Sequence, residues 1–128
     1  MVVGSCRRVN INSEMQSLFN KSFFDLAPSD APSNFRVIGG NQTSVQLAWE
    51  APRLLYRNGI IIKYQVRCYI VGEEETHDEL KTLTEQTLEL SNLPTATHAC
   101  LVRAWTKAGP GPWSDRIQFL INQKGGSI

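Results

Sequence analysis

The sequence holds few of the residue arrangements from which enzyme sites are built. Its two histidines, His77 and His98, stand far apart, and no Cys-x-x-Cys pair or Cys/His cluster has zinc-site spacing. It contains no phosphate-cradling glycine loop, no nucleophile beside a general base at motif spacing, and no carboxylate pair placed by paired strands. No catalytic residue, metal or cofactor is therefore expected. No run of about 18 apolar residues occurs, so no segment is expected to insert in a membrane. Thirteen basic against twelve acidic residues leave a net charge of +1, which gives nucleic acid or an anionic membrane no electrostatic hold. The Arg-Gly-Asp triplet is also absent. Met1 to Cys6 is too short an apolar stretch for a secretory signal, and the basic pair Arg7-Arg8 follows it instead of preceding it. The expectation is a chain cut from a longer polypeptide, or one that stays out of the secretory route.

What is present is alternation. Ser44 to Pro52 and Ile62 to Tyr69 place apolar side chains at every second position, the period of a strand with one wet and one dry face. His98 to Trp105 repeats the pattern and runs into Lys107-Ala108-Gly109-Pro110-Gly111-Pro112, a turn built from glycine and proline. Seven segments bounded by turn residues follow: 34–38, 44–50, 61–70, 78–83, 87–90, 98–106 and 115–121. That spacing predicts an all-β, seven-stranded antiparallel sandwich. The expected core is Val37, Val45, Leu47, Trp49, Ile62, Tyr64, Val66, Leu88, Leu90, Leu93, Val102, Ala104 and Ile117.

Several motifs resemble the fibronectin type III family, an immunoglobulin-like fold. They are Trp49 shortly before Pro52, the Asn58-Gly59-Ile60 turn leading into Tyr64-x-Val66, Leu93-Pro94-x-x-Thr97, Val102-x-Ala104, and the Gly-Pro turn ending in Ser114. The resemblance covers residues 31–121, leaving 1–30 as an N-terminal extension and linker and 122–128 as a flexible tail. One position departs from it. Where the family carries a tyrosine that bonds backbone across a strand corner, this chain has His98, expected to act as a partly buried donor in place of the phenol.

Strand alignment within that fold puts Cys68 and Cys100 on the core faces of neighbouring antiparallel strands. A disulfide between them and two buried free thiols both remain open, because the pairing depends on a Cα separation that sequence does not show. Cys6 is left over. Asn20-Lys21-Ser22 and Asn41-Gln42-Thr43 are acceptor triplets for N-glycosylation, and Asn41 falls on a surface turn. His77 lies in the acidic connection Glu73 to Glu79, read as a solvated edge and not a metal site.

The extension has a patterned centre. Ser13 to Gln16 fits a capping box, and Met15, Leu18, Phe19, Phe23 and Leu26 recur at three- and four-residue steps. Ala27 to Pro32 ends any such helix. A short isolated helix is marginal in water, so the stripe either covers a surface of the sandwich, a preceding domain or a partner, or the arm stays disordered.

Recognition is the remaining class of function. The loop Arg53 to Asn58 is apolar for a connection, and in this fold it shares a pole with the Gly-Pro turn and Trp113. Leu54, Tyr56, Arg57 and Trp113 are thus the candidate partner-binding residues, against the alternative that Leu55 and Tyr56 plug the core. Strand parity also turns Arg67, Arg103 and Trp105 outward, where they are expected to stack with Trp113. Pro112 to Asp115 faintly resembles half of the repeated Trp-Ser motif of cytokine-receptor domains. The resemblance as a whole implies a non-catalytic protein-binding or spacer module, extracellular, from a multidomain receptor or adhesion protein. The alternatives are a cytoplasmic scaffold repeat of cytoskeletal or muscle type, or a piece of a receptor kinase or phosphatase ectodomain. The partners implied are a protein ligand or neighbouring domains.

Overall fold

The computed structural model describes residues 25–73 and 78–122. Each alternating stretch forms a strand: β1 (Ser33–Gly40), β2 (Val45–Glu50), β3 (Lys63–Ile70), β4 (Glu79–Leu83), β5 (Thr87–Leu90), β6 (Ala96–Thr106), β7 (Gly109–Pro110) and β8 (Ile117–Ile121). Seven of these are the expected segments with slightly moved ends. The eighth, β7, is a two-residue bridge within the Gly-Pro turn, which folds back so that Trp105 pairs with Pro110 and Thr106 with Gly109. One sheet has the order β1-β2-β5, and the other runs β4-β3-β6, with β7 and β8 both on β6. Every pairing is antiparallel.

The inward faces of the two sheets make one core. Val45, Leu47 and Trp49 from β2 meet Tyr64 and Val66 from β3, Leu90 from β5, and Cys100, Val102 and Ala104 from β6. Each fully buried large apolar side chain contributes roughly 1.5–3 kcal/mol relative to exposure. Trp49 is the centre, with edge-on contacts to Phe35 at 5.9 Å and Tyr64 at 5.7 Å between ring centroids. Leu88, Leu93 and Ile117 pack half-buried around this cluster.

Two expected core residues lie outside it. Val37 is 42 % exposed because β1 is an edge strand whose register against β2 shifts on both sides of the segment from Arg36 to Val37, so Phe35 supplies the ring that packs on Trp49. Ile62 is 47 % exposed. β3 begins only at Lys63, and Ile61 turns toward the core in its place. His98 behaves as expected of a buried donor: its Nε2 lies 2.9 Å from the Pro94 carbonyl, and its ring stacks on Phe119 at 5.6 Å. Of the expected helical stripe, Met15, Leu18, Phe19 and Phe23 lie outside the described residues, as do Cys6, Asn20, His77 and the tail from residue 123, while Leu26, its last member, is not helical.

Candidate protein-binding pole

The chain between β2 and β3 is shaped by its own sequence. Pro52, almost fully buried, ends the strand, and Leu54–Tyr56 then form one 3-10 turn closed by Tyr56 N–H donating to the Arg53 carbonyl at 2.8 Å. Asn58 takes a left-handed conformation at φ 60°, which asparagine tolerates better than most side chains, and so returns the chain toward β3. Such a short turn has no interior. Leu55 is 82 % exposed, Leu54 53 % and Tyr56 40 %, so Leu55 and Tyr56 do not plug the core.

What closes this end of the sandwich is the segment before β1. Residues 25–31 cross the pole as a strap. Leu26 N–H donates to the Asn58 carbonyl at 3.0 Å, Ser29 N–H to the Tyr56 carbonyl at 2.9 Å, and Asn58 Nδ2 returns a bond to the Ala27 carbonyl at 3.0 Å. Thr106, fully buried at the end of β6, donates its hydroxyl to the Leu26 carbonyl at 2.7 Å. Buried Pro28 lies so close to Gly111 that a Cβ there would stand 2.7 Å from the proline ring. Arg53 joins the strap through Asp30 at 3.0 Å while its guanidinium covers Tyr56 at 4.4 Å. The apolar loop is therefore held on both sides by backbone bonds. The sequence carried a signal for this in Gly59 and Gly111, whose missing side chains make room for Asp25 and Pro28.

Of the four candidate partner-binding residues, Leu54, Tyr56 and Arg57 belong to this loop. Arg57 is half-buried and donates Nε to the Pro52 carbonyl at 2.7 Å. Trp113 is engaged on the outer face of the larger sheet, beneath Arg103 at 4.3 Å. Beside the loop runs an apolar groove of about 770 Å³ lined by Leu54, Ile60, Ile62, Tyr64, Thr84 and Gln86 among others. Tyr64 spans core and groove. Its hydroxyl donates to Gln86 Oε1 at 3.2 Å, and burial pushes its phenol above the ordinary value while nearby Arg57 pulls the other way.

The outer face of the larger sheet carries the expected stack in altered form. Arg103 lies over Trp113 and, at 5.6 Å, over Trp105, and Lys63 covers the same Trp105 at 4.4 Å. Arg67 instead bonds both carboxylate oxygens of Asp78 at 2.9 Å and lies 5.4 Å from the Tyr69 ring. The residue that orders the stack is buried Gln65, whose Oε1 accepts from Trp105 Nε1 at 2.7 Å and Arg103 Nε at 2.9 Å. Burial lowers the pKa of Arg103, yet arginine keeps its charge. Sequence parity placed the aromatic and cationic groups but not the glutamine between them.

Asn41 stands exposed in the β1–β2 turn. Its Oδ1 accepts from Thr43 N–H at 2.9 Å and Ser44 Oγ at 2.9 Å. Cys68 and Cys100 are partners in the β3–β6 register with Cα atoms 4.2 Å apart and sulfurs facing each other. Among the described residues, no group of three or more His, Cys, Asp or Glu is placed to hold a metal ion, and no helix is long and apolar enough to cross a membrane.

Known proteins resemble the chain over the same region. It is 40 % identical over 93 residues to the human receptor-type tyrosine-protein phosphatase F, covering 71 % of this chain and 5 % of the phosphatase. It is 31 % identical over 96 residues to the Drosophila melanogaster cell adhesion molecule Dscam1, covering 70 % of this chain and 5 % of Dscam1. The chain thus spans about 5 % of the length of these curated relatives. Among solved structures, domains FN1–FN3 of chicken CNTN1 superpose with a TM-score of 0.63 at 21 % identity, covering 75 % of this chain and 31 % of that one. The model of the fibronectin type III domain matches residues 30–120, nearly the whole span of the eight strands from Ser33 to Ile121, and the chain belongs to the fibronectin type III family.

Proposed function

We propose that this domain is a non-catalytic protein-binding module in the extracellular part of a receptor or adhesion protein, and that it meets its partner through the strap-held loop at the β2–β3 pole. The observation that carries the reading is Leu55, a large aliphatic side chain 82 % exposed on a turn pinned by backbone bonds. A rigid loop loses little entropy on binding, and an exposed aliphatic–aromatic–arginine group is the composition of interface hot spots. Leu54, Tyr56 and Arg57 complete that group, and Trp113 with Arg103 offers a second, flatter face. Similarity to a receptor phosphatase and an adhesion molecule supports the class of parent protein.

The extracellular setting draws on two further features. Asn41 heads an acceptor triplet for N-glycosylation and is exposed, with its Oδ1 accepting from Thr43 N–H. Cys68 and Cys100 face each other across the β3–β6 ladder with Cα atoms 4.2 Å apart, within bridging reach though closer than is usual for a disulfide. The binding claim is tested by titrating the intact chain onto living cells, beside the double variant Leu55→Asp/Tyr56→Ala, with protease-shaved cells as control. Saturable binding that shaving removes and the variant weakens about ten-fold or more supports the reading. Binding that ignores both substitutions, or no saturable binding, contradicts it.

A further inference from the structure

The groove beside the loop and the cation–aromatic face of the larger sheet meet at one residue. Lys63 lines the groove, and its ammonium also covers the Trp105 ring that Arg103 shares. Arg57 lines the same groove, near enough to Tyr64 that its charge pulls the phenol pKa down against the larger effect of burial. Arg57 and Lys63 are the charged residues of the lining. The rest is apolar or neutral, with Leu54 53 %, Ile60 71 % and Ile62 47 % exposed. Acidic side chains stand close without entering: Asp25 packs against Gly59 and Glu85 is exposed on the β4–β5 turn, yet neither lines the groove. Among the described residues, Arg57, Lys63 and Arg103 form no ion pair. A chain whose net charge is only +1 thus leaves these cations uncompensated along one path beside exposed aliphatic side chains. Like charges held together repel one another, and an incoming carboxylate relieves that repulsion while steering the encounter.

We infer that the groove takes an acidic, aliphatic peptide segment of a protein partner, with aliphatic side chains against Leu54, Ile60 and Ile62 and carboxylates on Arg57 and Lys63. The inference rests on the proposed function for the class of partner and names the chemistry that partner carries, since Leu54 and Arg57 belong to both sites. A lipid chain fits the groove less well. Small apolar ligands are held in cavities that bury most of their surface, whereas this groove is open to water at its aliphatic residues and carries the Tyr64–Gln86 hydrogen bond within its lining. A peptide backbone offers that polar pair donors and acceptors, and an alkyl chain offers none. Lys63 ties the groove to the sheet face, so a carboxylate on its ammonium also changes the surroundings of Trp105.

The test is a nuclear magnetic resonance titration of the intact, methyl-labelled chain with a pool of blocked hexapeptides in which leucine, isoleucine or valine alternates with glutamate. The matching lysine pool and decanoate are run beside it. The expected result is saturable movement of the Leu54, Ile60 and Ile62 methyls and of the Trp105 Nε1–H signal with the glutamate pool below about 5 mM. Binding of the lysine pool should be about ten-fold weaker or more, and added salt should weaken the glutamate response. Lys63→Glu should reverse the preference between the pools while the Val66 and Val102 methyls keep their positions. No response to the glutamate pool, an equal response to both pools, or a preference that survives Lys63→Glu overturns the inference. Decanoate that binds more tightly than the peptides assigns the groove to a lipid chain and overturns it as well. The cell titration separates this inference from the reading of the pole. A Lys63→Glu chain that binds cells like the wild type, where Leu55→Asp/Tyr56→Ala is weakened, contradicts the groove inference alone. Absence of saturable cell binding contradicts the pole reading, and the peptide titration still decides the groove.

Discussion

Gln65 organises more of the sheet surface than its neighbours in sequence suggest. It is buried although it lies on the outer face, and it accepts from Arg103 and Trp105 while Nε2 donates to Thr82 Oγ1 at 3.3 Å. Gln65→Leu keeps the volume but strands two donors, so we expect a loss of about 1–3 kcal/mol in urea unfolding, with the Trp105 fluorescence shifted as the stack loosens. Tyr64 sets a pH dependence. Burial raises its pKa above the ordinary phenol value of about 10, so the unfolded chain ionises first as pH rises. The neutral phenol's contribution is present in full below pH 10 and is lost as pH climbs through the raised folded value. Denaturant midpoints should therefore fall across that alkaline range, and fall less steeply in Tyr64→Phe, which at neutral pH costs about 0.5–1.5 kcal/mol for the bond to Gln86. A Tyr64→Phe slope equal to the wild type would refute the assignment. Side-chain parity was legible in the sequence for these residues because strand period is strict. Partnership was not, since Gln65 meets Arg103 and Trp105 across a strand pairing of 38 and 40 residues' separation.

The strap is the element that alternation alone does not disclose. Residues 27–32 read as a linker because proline breaks helices and strands alike, yet Ala27 and Ser29 bond to Asn58 and Tyr56, and Leu26 just before them bonds to Asn58 and Thr106. Gly111→Ala tests the fit directly. The added methyl meets the Pro28 ring at 2.7 Å and its carbonyl at 2.9 Å, so we expect a destabilisation of about 1–3 kcal/mol. Hydrogen exchange should quicken at Leu26 and Ser29, whose amides bond across the pole, while β2 amides stay protected. Unchanged exchange at those two amides would show that the strap does not depend on the contact. The β3–β6 ladder carries a second element-scale prediction. With 32 residues between Cys68 and Cys100, a disulfide there contributes roughly 3–4 kcal/mol in the chain-entropy account, so reduction should lower the unfolding midpoint accordingly. The positions of seven strands followed from alternation, whereas the exposure of Val37 and Ile62 did not, because a register shift and a late strand start each reverse parity without marking the composition.

At the scale of the whole molecule, the domain is a rigid sandwich that offers an apolar loop at one pole and a cation–aromatic face along one sheet. The fold was readable because glycine, proline and alternating apolar residues fall in one order that few other topologies satisfy. The loop was readable as a binding candidate from composition, but its rigidity came from residues 25–31, more than twenty positions away in sequence. The proposed extracellular setting joins the pole, the exposed Asn41 and the facing cysteines into one account. The most direct measurement of that claim is the intact mass of the protein from its native source, before and after deglycosylation and reduction. The account predicts a glycan released from Asn41 and a gain of two hydrogens on reduction, mapped to Cys68 and Cys100. An unmodified mass with both thiols free would contradict it.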